Sequence, residues 1–127
     1  MAKKLGMKCD ACTNEAPQVL CFLQSYWNGK TLVANTNLQT TRSGADANTL
    51  LGAISTFDID AYCDHPSIQP CNSKVLASHK VLVDSFRSIY GINKGRTTGK
   101  AAAIGRYAED VCYKGNPWYL TTLSAAE

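Results

Sequence analysis

The sequence predicts an all-α fold of about four helices joined by long loops. Apolar residues recur at helical spacing in four stretches, which cover residues 16–27, 46–56, 73–90 and 116–127. Only residues 30–34 have the composition of a strand, and no second stretch offers it a convincing partner. The connections are long and lie at 29–45, 57–72 and 91–115. Loops of that length are uncommon unless they carry a site, so we expect function to reside in them.

The first helix is predicted to begin near residue 16. Pro17 suits a first helical turn, where its missing N–H costs nothing, and Thr13 or Asn14 can cap that turn. Gly29 follows as a turn residue. The apolar stripe consists of Val19, Leu20, Phe22, Leu23, Tyr26 and Trp27.

The two middle helices are amphipathic. In the shorter one, Ser43 or Asp46 offers the cap, and the apolar face consists of Leu50, Leu51, Ile54 and Phe57. In the longer one, Asn72 or Ser73 caps the start and Gly91 is expected to supply a left-handed stop. Its apolar face consists of Val75, Leu76, Leu82, Val83, Phe86, Ile89 and Tyr90.

The fourth helix is predicted to begin near the sequence Asn116-Pro117-Trp118. Its apolar face, which consists of Leu120, Leu123 and Ala126, has no glycine stop or cationic last turn after it. We therefore expect this helix, and with it the chain, to be cut short at its C-terminal end.

Composition excludes several classes of function. The 127 residues are 45% hydrophobic and carry a net charge of +3, so the sequence predicts one folded domain rather than disorder or a nucleic-acid-binding protein. No apolar run is long enough for a membrane span, and no secretory signal is visible. With two histidines and no clustered carboxylates, the sequence predicts neither a catalytic metal nor a cofactor.

The six cysteines are unusual in so short a chain. The close pairs Cys9/Cys12 and Cys63/Cys71 suggest two local disulfides, although spacing alone leaves the connectivity open. Cys21 and Cys112 could pair together, stay buried as thiols, or have partners outside the chain. A redox pair at Cys9/Cys12 lacks a preceding strand, and a zinc site that includes Cys21 and His65 lacks a second paired-ligand module, so structural disulfides are favoured.

Residues 105–118 form the densest polar and aromatic stretch. An arginine with nearby carboxylates and aromatic rings suits sugar recognition, because hydroxyls need donors and acceptors and sugar rings need flat apolar surfaces. The same residues could equally have a structural role, in which an Arg–Asp pair holds the loop in place. Glu109 and Asp110 are adjacent, and neighbouring carboxylates rarely converge on one substrate atom, so they are not predicted to be a catalytic pair.

Three motifs, in this order along the chain, closely resemble fungal glucoamylase of glycoside hydrolase family 15. They are Arg42-Ser43-Gly44-Ala45-Asp46-Ala47-Asn48-Thr49-Leu50-Leu51-Gly52, Val83-Asp84-Ser85-Phe86-Arg87-Ser88-Ile89-Tyr90, and Gly105-Arg106-Tyr107 continuing to Asn116-Pro117-Trp118. The cysteine spacing is similar too. The resemblance covers residues 9–127, which we interpret as a fragment of the catalytic domain, whereas residues 1–8 look like a foreign or unstructured N-terminus.

The resemblance implies a partial (α/α)6 toroid and an inverting exo-glycosidase that releases glucose from the non-reducing ends of starch and related α-1,4-glucans. Such an enzyme needs a carboxylic acid and a carboxylate base. In the family the acid lies in a Trp-Glu-Glu motif upstream of this region and the base lies downstream, so no catalytic residue is assigned here and the isolated chain is expected to be inactive. The resemblance also implies secretion.

The substrate-binding residues that the resemblance carries over are Arg106, Tyr107, Asp110, Tyr113 and Trp118. Arg106 matches an arginine that binds glucose hydroxyls, and the others match residues that shape its loop. Cys112 stands where the family commonly has a tyrosine that touches the sugar, and Ala108 replaces a common proline.

For the cysteines, the resemblance implies disulfides Cys9–Cys12 and Cys63–Cys71 and leaves Cys21 as a free thiol. The expected partner is starch or a malto-oligosaccharide, and apolar helix faces left uncovered are expected to promote self-association. Two alternatives remain open: a non-catalytic glucan-binding or interaction protein, and a small cysteine-rich metal-binding protein.

Overall fold

The computed structural model describes residues 5–36 and 41–126. These residues form four α-helices, and the all-α prediction is confirmed. They are α1 (Asp10–Gln24), α2 (Asn48–Ser55), α3 (Ser73–Ser85) and α4 (Tyr119–Ser124), with short 3₁₀ turns at Gly91–Asn93 and Cys112–Gly115. Among the described residues, no helix is long and apolar enough to cross a membrane.

The core lies where α2 packs against α3 and α4. Phe86, at the end of α3, is the largest fully buried side chain in the described part of the chain, and Leu82 and Ile104 belong to the same cluster. From α2, Leu50 and Ala53 contribute to this cluster. The predicted face of α2 is therefore only partly correct, since Phe57 lies beyond the helix and is exposed.

Helix α1 begins before the predicted residue 16. The Cys9 carbonyl accepts a hydrogen bond from the Thr13 N–H at 3.1 Å, and the Cys9 Sγ accepts one from the Cys12 N–H at 3.2 Å. These bonds form a helical turn upstream of Pro17, so Pro17 lies inside the helix and Thr13 is not its cap. A proline here removes one internal hydrogen bond but does not end the helix. No residue of α1 is buried.

Helix α3 begins as predicted, with the Asn72 side chain accepting a hydrogen bond from the Lys74 N–H at 2.9 Å. It ends at Ser85 rather than near residue 90. The prediction of a left-handed Gly91 is wrong, because Gly91 is not among the glycines with positive φ and instead begins a 3₁₀ turn. The helix ends because the Phe86 N–H bonds to the Val83 carbonyl at 3.2 Å, which tightens the last turn.

The other two predicted elements are shorter than expected. Helix α4 begins at Tyr119 and ends at Ser124, and Glu127, the end of the predicted helix, lies outside the described residues. Residues 30–34 form no strand and contribute one isolated antiparallel bridge, between Trp27 and Leu32.

Two disulfides are present in the described residues, Cys9–Cys12 and Cys63–Cys71. The second closes part of the long loop before α3. There the buried Gln69 side chain accepts a hydrogen bond from the Asp58 N–H at 2.8 Å and donates to the Thr56 carbonyl at 3.3 Å. These bonds give the loop an ordered path without regular secondary structure.

Candidate functional site

The segment of residues 102–106 positions Arg106 at the candidate site. The Ile104 carbonyl accepts hydrogen bonds from the Trp118 N–H and the Thr121 hydroxyl, both at 3.0 Å. The Arg106 carbonyl accepts one from the Ala47 N–H at 2.7 Å. The segment is thus held by α4 on one side and by the start of α2 on the other.

Arg106 and Asp110 form a bidentate ion pair. Arg106 Nε donates to Asp110 Oδ2 at 2.7 Å and Nη2 donates to Oδ1 at 2.8 Å, while the Cys112 N–H also donates to Oδ1 at 2.9 Å. The Asp110 side chain is 4% exposed and that of Arg106 is 33% exposed. The carboxylate therefore orients the guanidinium, and Nη1 is not engaged by it and can donate to a ligand.

The hydrogen bonds from Arg106 also hold the pKa of Asp110 below its ordinary value, and the Cys112 N–H lowers it further. The same pairing raises the pKa of Arg106. Both groups consequently stay charged at any physiological pH.

Aromatic rings surround this ion pair. The Arg106 Cζ lies 5.0 Å from the centroid of the Trp118 ring and 5.4 Å from that of Tyr107. Arg42 covers the Tyr107 ring at 4.0 Å and donates from Nη2 to the Tyr107 hydroxyl at 2.7 Å. Each arginine lies within cation–π distance of a ring, which favours a fixed arrangement of charged and flat surfaces.

Glu109 has a different partner from Asp110. Its Oε1 accepts a hydrogen bond from the Ser43 N–H at 2.9 Å. Burial raises the pKa of Glu109, but the hydrogen bonds from Ser43 and from its own backbone N–H, together with the charge of Arg42, outweigh burial, so the net pKa lies below its ordinary value. The two adjacent carboxylates thus bind separate groups.

A cavity of about 530 Å³ lies beside α2. Arg106 and Tyr107 line one part of its wall, and Arg42 and Asp46 lie on the same wall. Asp46 Oδ1 accepts a hydrogen bond from the N–H of Asn48, the first residue of α2, at 2.9 Å. The remaining wall combines apolar side chains with a few polar ones, the usual composition of a small-molecule site.

The predicted substrate-binding residues occupy different places around this cavity. Arg106 and Tyr107 line it. Asp110 and Trp118 contact Arg106 without being part of the lining. Tyr113 is 83% exposed and lies outside it.

The turn that follows Asp110 has an uncommon backbone. Tyr113, Lys114 and Gly115 all have positive φ, at 47°, 63° and 64°. A Cβ at Gly115 would overlap the Asp110 carbonyl oxygen. Only glycine allows the backbone to approach Asp110 so closely, so Gly115 helps to hold the loop that presents this carboxylate.

Two cavity residues were not singled out by their chemistry in the sequence. Arg42 and Asp46 belong to the first of the three glucoamylase-like motifs, but no spacing rule connects them to Arg106. The sequence signal that could have identified Arg42 and Asp46 is that both are charged residues in a segment of otherwise small residues just before a helix.

The described residues contain no group of three or more His, Cys, Asp or Glu side chains that could hold a metal ion. Cys9 and Cys12 are joined to each other, so neither offers the thiolate that the zinc hypothesis requires. His65 Nδ1 lies 2.7 Å from the Ser67 hydroxyl, and His79 Nε2 lies 2.7 Å from the Ala125 carbonyl oxygen. Cys21 and Cys112 are exposed free thiols.

Comparison with known proteins connects this site to a family. The profile described as Glycosyl hydrolases family 15 matches residues 1–127. The chain belongs to glycosyl hydrolase family 15. The match includes residues 1–8, which by sequence alone look unlike the rest.

Relatives in family 15 include fungal glucoamylases. The chain is 59% identical over 127 residues to Glucoamylase P of Amorphotheca resinae, which covers 100% of the chain and 20% of that protein. It is 55% identical over 126 residues to a glucoamylase of Neurospora crassa, which covers 99% of the chain and 20% of that protein. The chain thus spans about a fifth of the length of these curated relatives.

Solved family 15 structures have the same local fold. The glucoamylase structure of Hormoconis resinae superposes with a TM-score of 0.90 at 59% identity, over 98% of this chain and 21% of that one. The glycoside hydrolase family 15 glucoamylase of Hypocrea jecorina superposes with a TM-score of 0.90 at 54% identity, over 99% of this chain and 21% of that one. The helical architecture of this chain agrees with that of these glucoamylases.

Proposed function

We propose that the chain supplies the Arg106 part of a sugar site to a glucoamylase-type glycosidase that releases glucose from the non-reducing ends of α-1,4-glucans. The observation that carries this proposal is the bidentate Arg106–Asp110 pair at the wall of the cavity, with Tyr107 and Trp118 beside it. A rigid cationic donor next to aromatic rings suits glucose, because hydroxyls accept from the guanidinium and the C–H face of the sugar packs on a ring.

Within this proposal each residue has its own part. Arg106 donates from Nη1 to glucose hydroxyls, and Asp110 keeps the guanidinium oriented. Tyr107 supplies a wall of the cavity, and Trp118 supports Arg106 from behind. Tyr113, which is exposed, would contact a longer glucan outside the cavity.

We also propose that the 127-residue chain does not hydrolyse glucans by itself. An inverting glycosidase needs a protonated carboxyl group to donate to the leaving oxygen and a free carboxylate to activate water. Glu109 and Asp110 lie beside Arg106, both have a lowered pKa, and both accept hydrogen bonds from protein groups. Asp46, on the same cavity wall, accepts a hydrogen bond from the Asn48 N–H. Glu109 and Asp110 do not suit the role of general acid, so that group would lie in another part of a complete enzyme, and the family resemblance places the general base outside this chain as well.

Maltose titration of the chain, followed by NMR of the arginine Nε–H signals, tests the binding proposal. We expect millimolar maltose to shift the Arg106 signal. Arg106→Lys should weaken binding about tenfold, because lysine cannot form the bidentate pair that orients the donor. Arg96→Lys is the matched control, since the Arg96 side chain bonds to backbone carbonyls of its own loop and is not among the residues that line the cavity.

An Arg106 signal that does not move in millimolar maltose would contradict the binding proposal, as would equal affinities in the two variants. A glucose-release assay on soluble starch tests the second proposal. No release is expected from the chain alone, and sustained turnover would show that its own carboxylates are sufficient.

Secretion and self-association are part of the same proposal. Two disulfides in so short a chain suit an oxidising compartment. The apolar side chains of Phe22 in α1 and of Leu120 and Leu123 in α4 are more than half exposed. Burial of such side chains would favour association of the isolated chain, which sedimentation velocity over a concentration series would detect.

A further inference from the structure

The side chain of Asn93 is buried between the end of α3 and the segment 102–106, with 1% exposed. Its Nδ2 donates to the Phe86 carbonyl at 2.9 Å and to the Ala103 carbonyl at 2.8 Å. Its Oδ1 accepts from the Ala103 N–H at 2.8 Å. The amide thus pairs with both backbone groups of Ala103, as the backbone of a neighbouring strand would.

Ala103 lies on the same short segment as Arg106, and the backbone between these two residues is tightly packed. Ile104 is fully buried, and its N–H donates to the Thr122 hydroxyl at 3.0 Å. At Gly105 a Cβ would overlap the Tyr90 hydroxyl, so the backbone lies directly against the residues that follow α3. A displacement of the Ala103 backbone would therefore also displace the backbone of Arg106, because the packed residues between them cannot adjust to take up the movement.

We propose that Asn93 is a positioning residue for Arg106: it fixes the edge of the segment 102–106 that faces α3, and thereby sets where the guanidinium meets Asp110. Asn93 touches neither the ion pair nor the cavity and acts only through the backbone. The consequence for sugar binding rests on the proposed function, whereas the effect on the ion pair does not.

A purely structural role would destabilise the chain without moving Arg106. Asn72 provides the matched control. It is also a buried asparagine, its Oδ1 accepts from the Lys74 N–H at 2.9 Å, and its Nδ2 donates to the Cys63 carbonyl at 2.9 Å. Asn72→Ala should therefore remove backbone hydrogen bonds at the start of α3, the end of that helix away from Phe86 and Asn93.

The experiment compares Asn93→Ala, Asn93→Asp and Asn72→Ala in the 127-residue chain, with circular dichroism to establish folding. The readout is the pKa of Asp110, followed through its carboxyl carbon by NMR. We expect Asn93→Ala to raise this pKa toward its ordinary value and to weaken maltose binding about tenfold. Asn93→Asp keeps an acceptor for the Ala103 N–H but replaces the donor with a carboxylate oxygen that faces the Phe86 and Ala103 carbonyl oxygens, so we expect a rise at least as large. Asn72→Ala should change neither quantity.

An unchanged Asp110 pKa in a folded Asn93→Ala variant would overturn the proposal, and so would an equal rise in Asn72→Ala. The unmodified chain could bind no maltose while the Asn93 variants, and not Asn72→Ala, raise the Asp110 pKa. In that case the proposed function fails and the positioning role of Asn93 stands. If neither Asn93 variant folds, native-state hydrogen exchange of the unmodified chain decides. The Ala103 N–H and the Arg106 Nε–H should then exchange through one opening with the same urea dependence, and separate openings would refute the coupling.

Discussion

Replacing Gly105 with alanine should destabilise the chain by steric overlap alone. The φ of Gly105 is not in the positive range, so alanine can adopt this backbone without strain. The added Cβ would overlap the Tyr90 hydroxyl and lie 3.2 Å from the Phe86 Cε1 atom. Neither ring can move easily, because Phe86 is 1% exposed and the two rings are stacked with centroids 5.2 Å apart.

The magnitude follows from two opposing effects. Overpacking of a well-packed core costs about 1–3 kcal/mol. Replacement of glycine also reduces the entropy of the unfolded chain, which offsets about 0.4–1 kcal/mol of that cost. The net loss in free energy of unfolding is therefore about 1–2 kcal/mol, which corresponds to a fall in Tm of about 4–8 °C for a domain of this size.

Gly52→Ala is the matched control for Gly105→Ala. Gly52 lies inside α2, and a Cβ there would meet nothing within 4 Å. Alanine is the better helix former by about 1 kcal/mol, so this variant should gain stability. Thermal and urea unfolding followed by circular dichroism measure both changes. If Gly105→Ala were as stable as the unmodified chain, or if the two variants changed stability in the same direction, the close packing of the segment 102–106 against Tyr90 would be refuted.

Three further predictions test the core, the ion pair and the thiols. Phe86→Ala should lower the free energy of unfolding by about 3–5 kcal/mol. Leu123→Ala, at a side chain that is 68% exposed, should change it by less than about 0.5 kcal/mol. Similar losses for the two variants in urea unfolding would contradict the assignment of Phe86 to the core. The pKa of Asp110 is lowered in the folded state, chiefly by Arg106, so its contribution to stability is present above the ordinary aspartate pKa and is lost as pH falls below about 4. Asp110→Asn should therefore flatten the acid side of a Tm-against-pH curve, and an unchanged slope would argue against the ion pair. Iodoacetamide should label the oxidised, native chain at Cys21 and Cys112 alone, and mass spectrometry that found other modified cysteines would contradict the disulfide assignment.

Local features of the fold could be predicted from the sequence. The apolar periodicity of α3 and the capping role of Asn72 depend on neighbours along the chain, and both are present in the structure. The cysteines of each disulfide are close in sequence, and this proximity suggested the pairs Cys9–Cys12 and Cys63–Cys71, although spacing alone left the connectivity open. Periodicity and capping are properties of consecutive residues, so they can be recognised before any tertiary contact is known.

Helix ends were predicted less well, and the cause is competition between local signals. Pro17 is a valid signal for a first turn, but hydrogen bonds to Cys9 form an earlier turn and place the proline inside α1. Gly91 is a valid signal for a stop, but α3 had already ended at Ser85. Sequence spacing does not rank two such signals, because their difference in free energy is small compared with the contacts that each end makes.

The candidate site contains contacts that the sequence predicts and contacts that it does not. By itself the sequence determined that Arg106 and Asp110 lie four residues apart in an aromatic-rich stretch, close enough along the chain for their side chains to pair locally. Only the tertiary structure decided that Arg42 covers the Tyr107 ring, 65 positions away, and that Asn93 holds the segment that delivers Arg106. The physical reason is that contacts between distant parts of a chain depend on how its helices pack, and packing is a property of the whole core that no single stretch of sequence encodes.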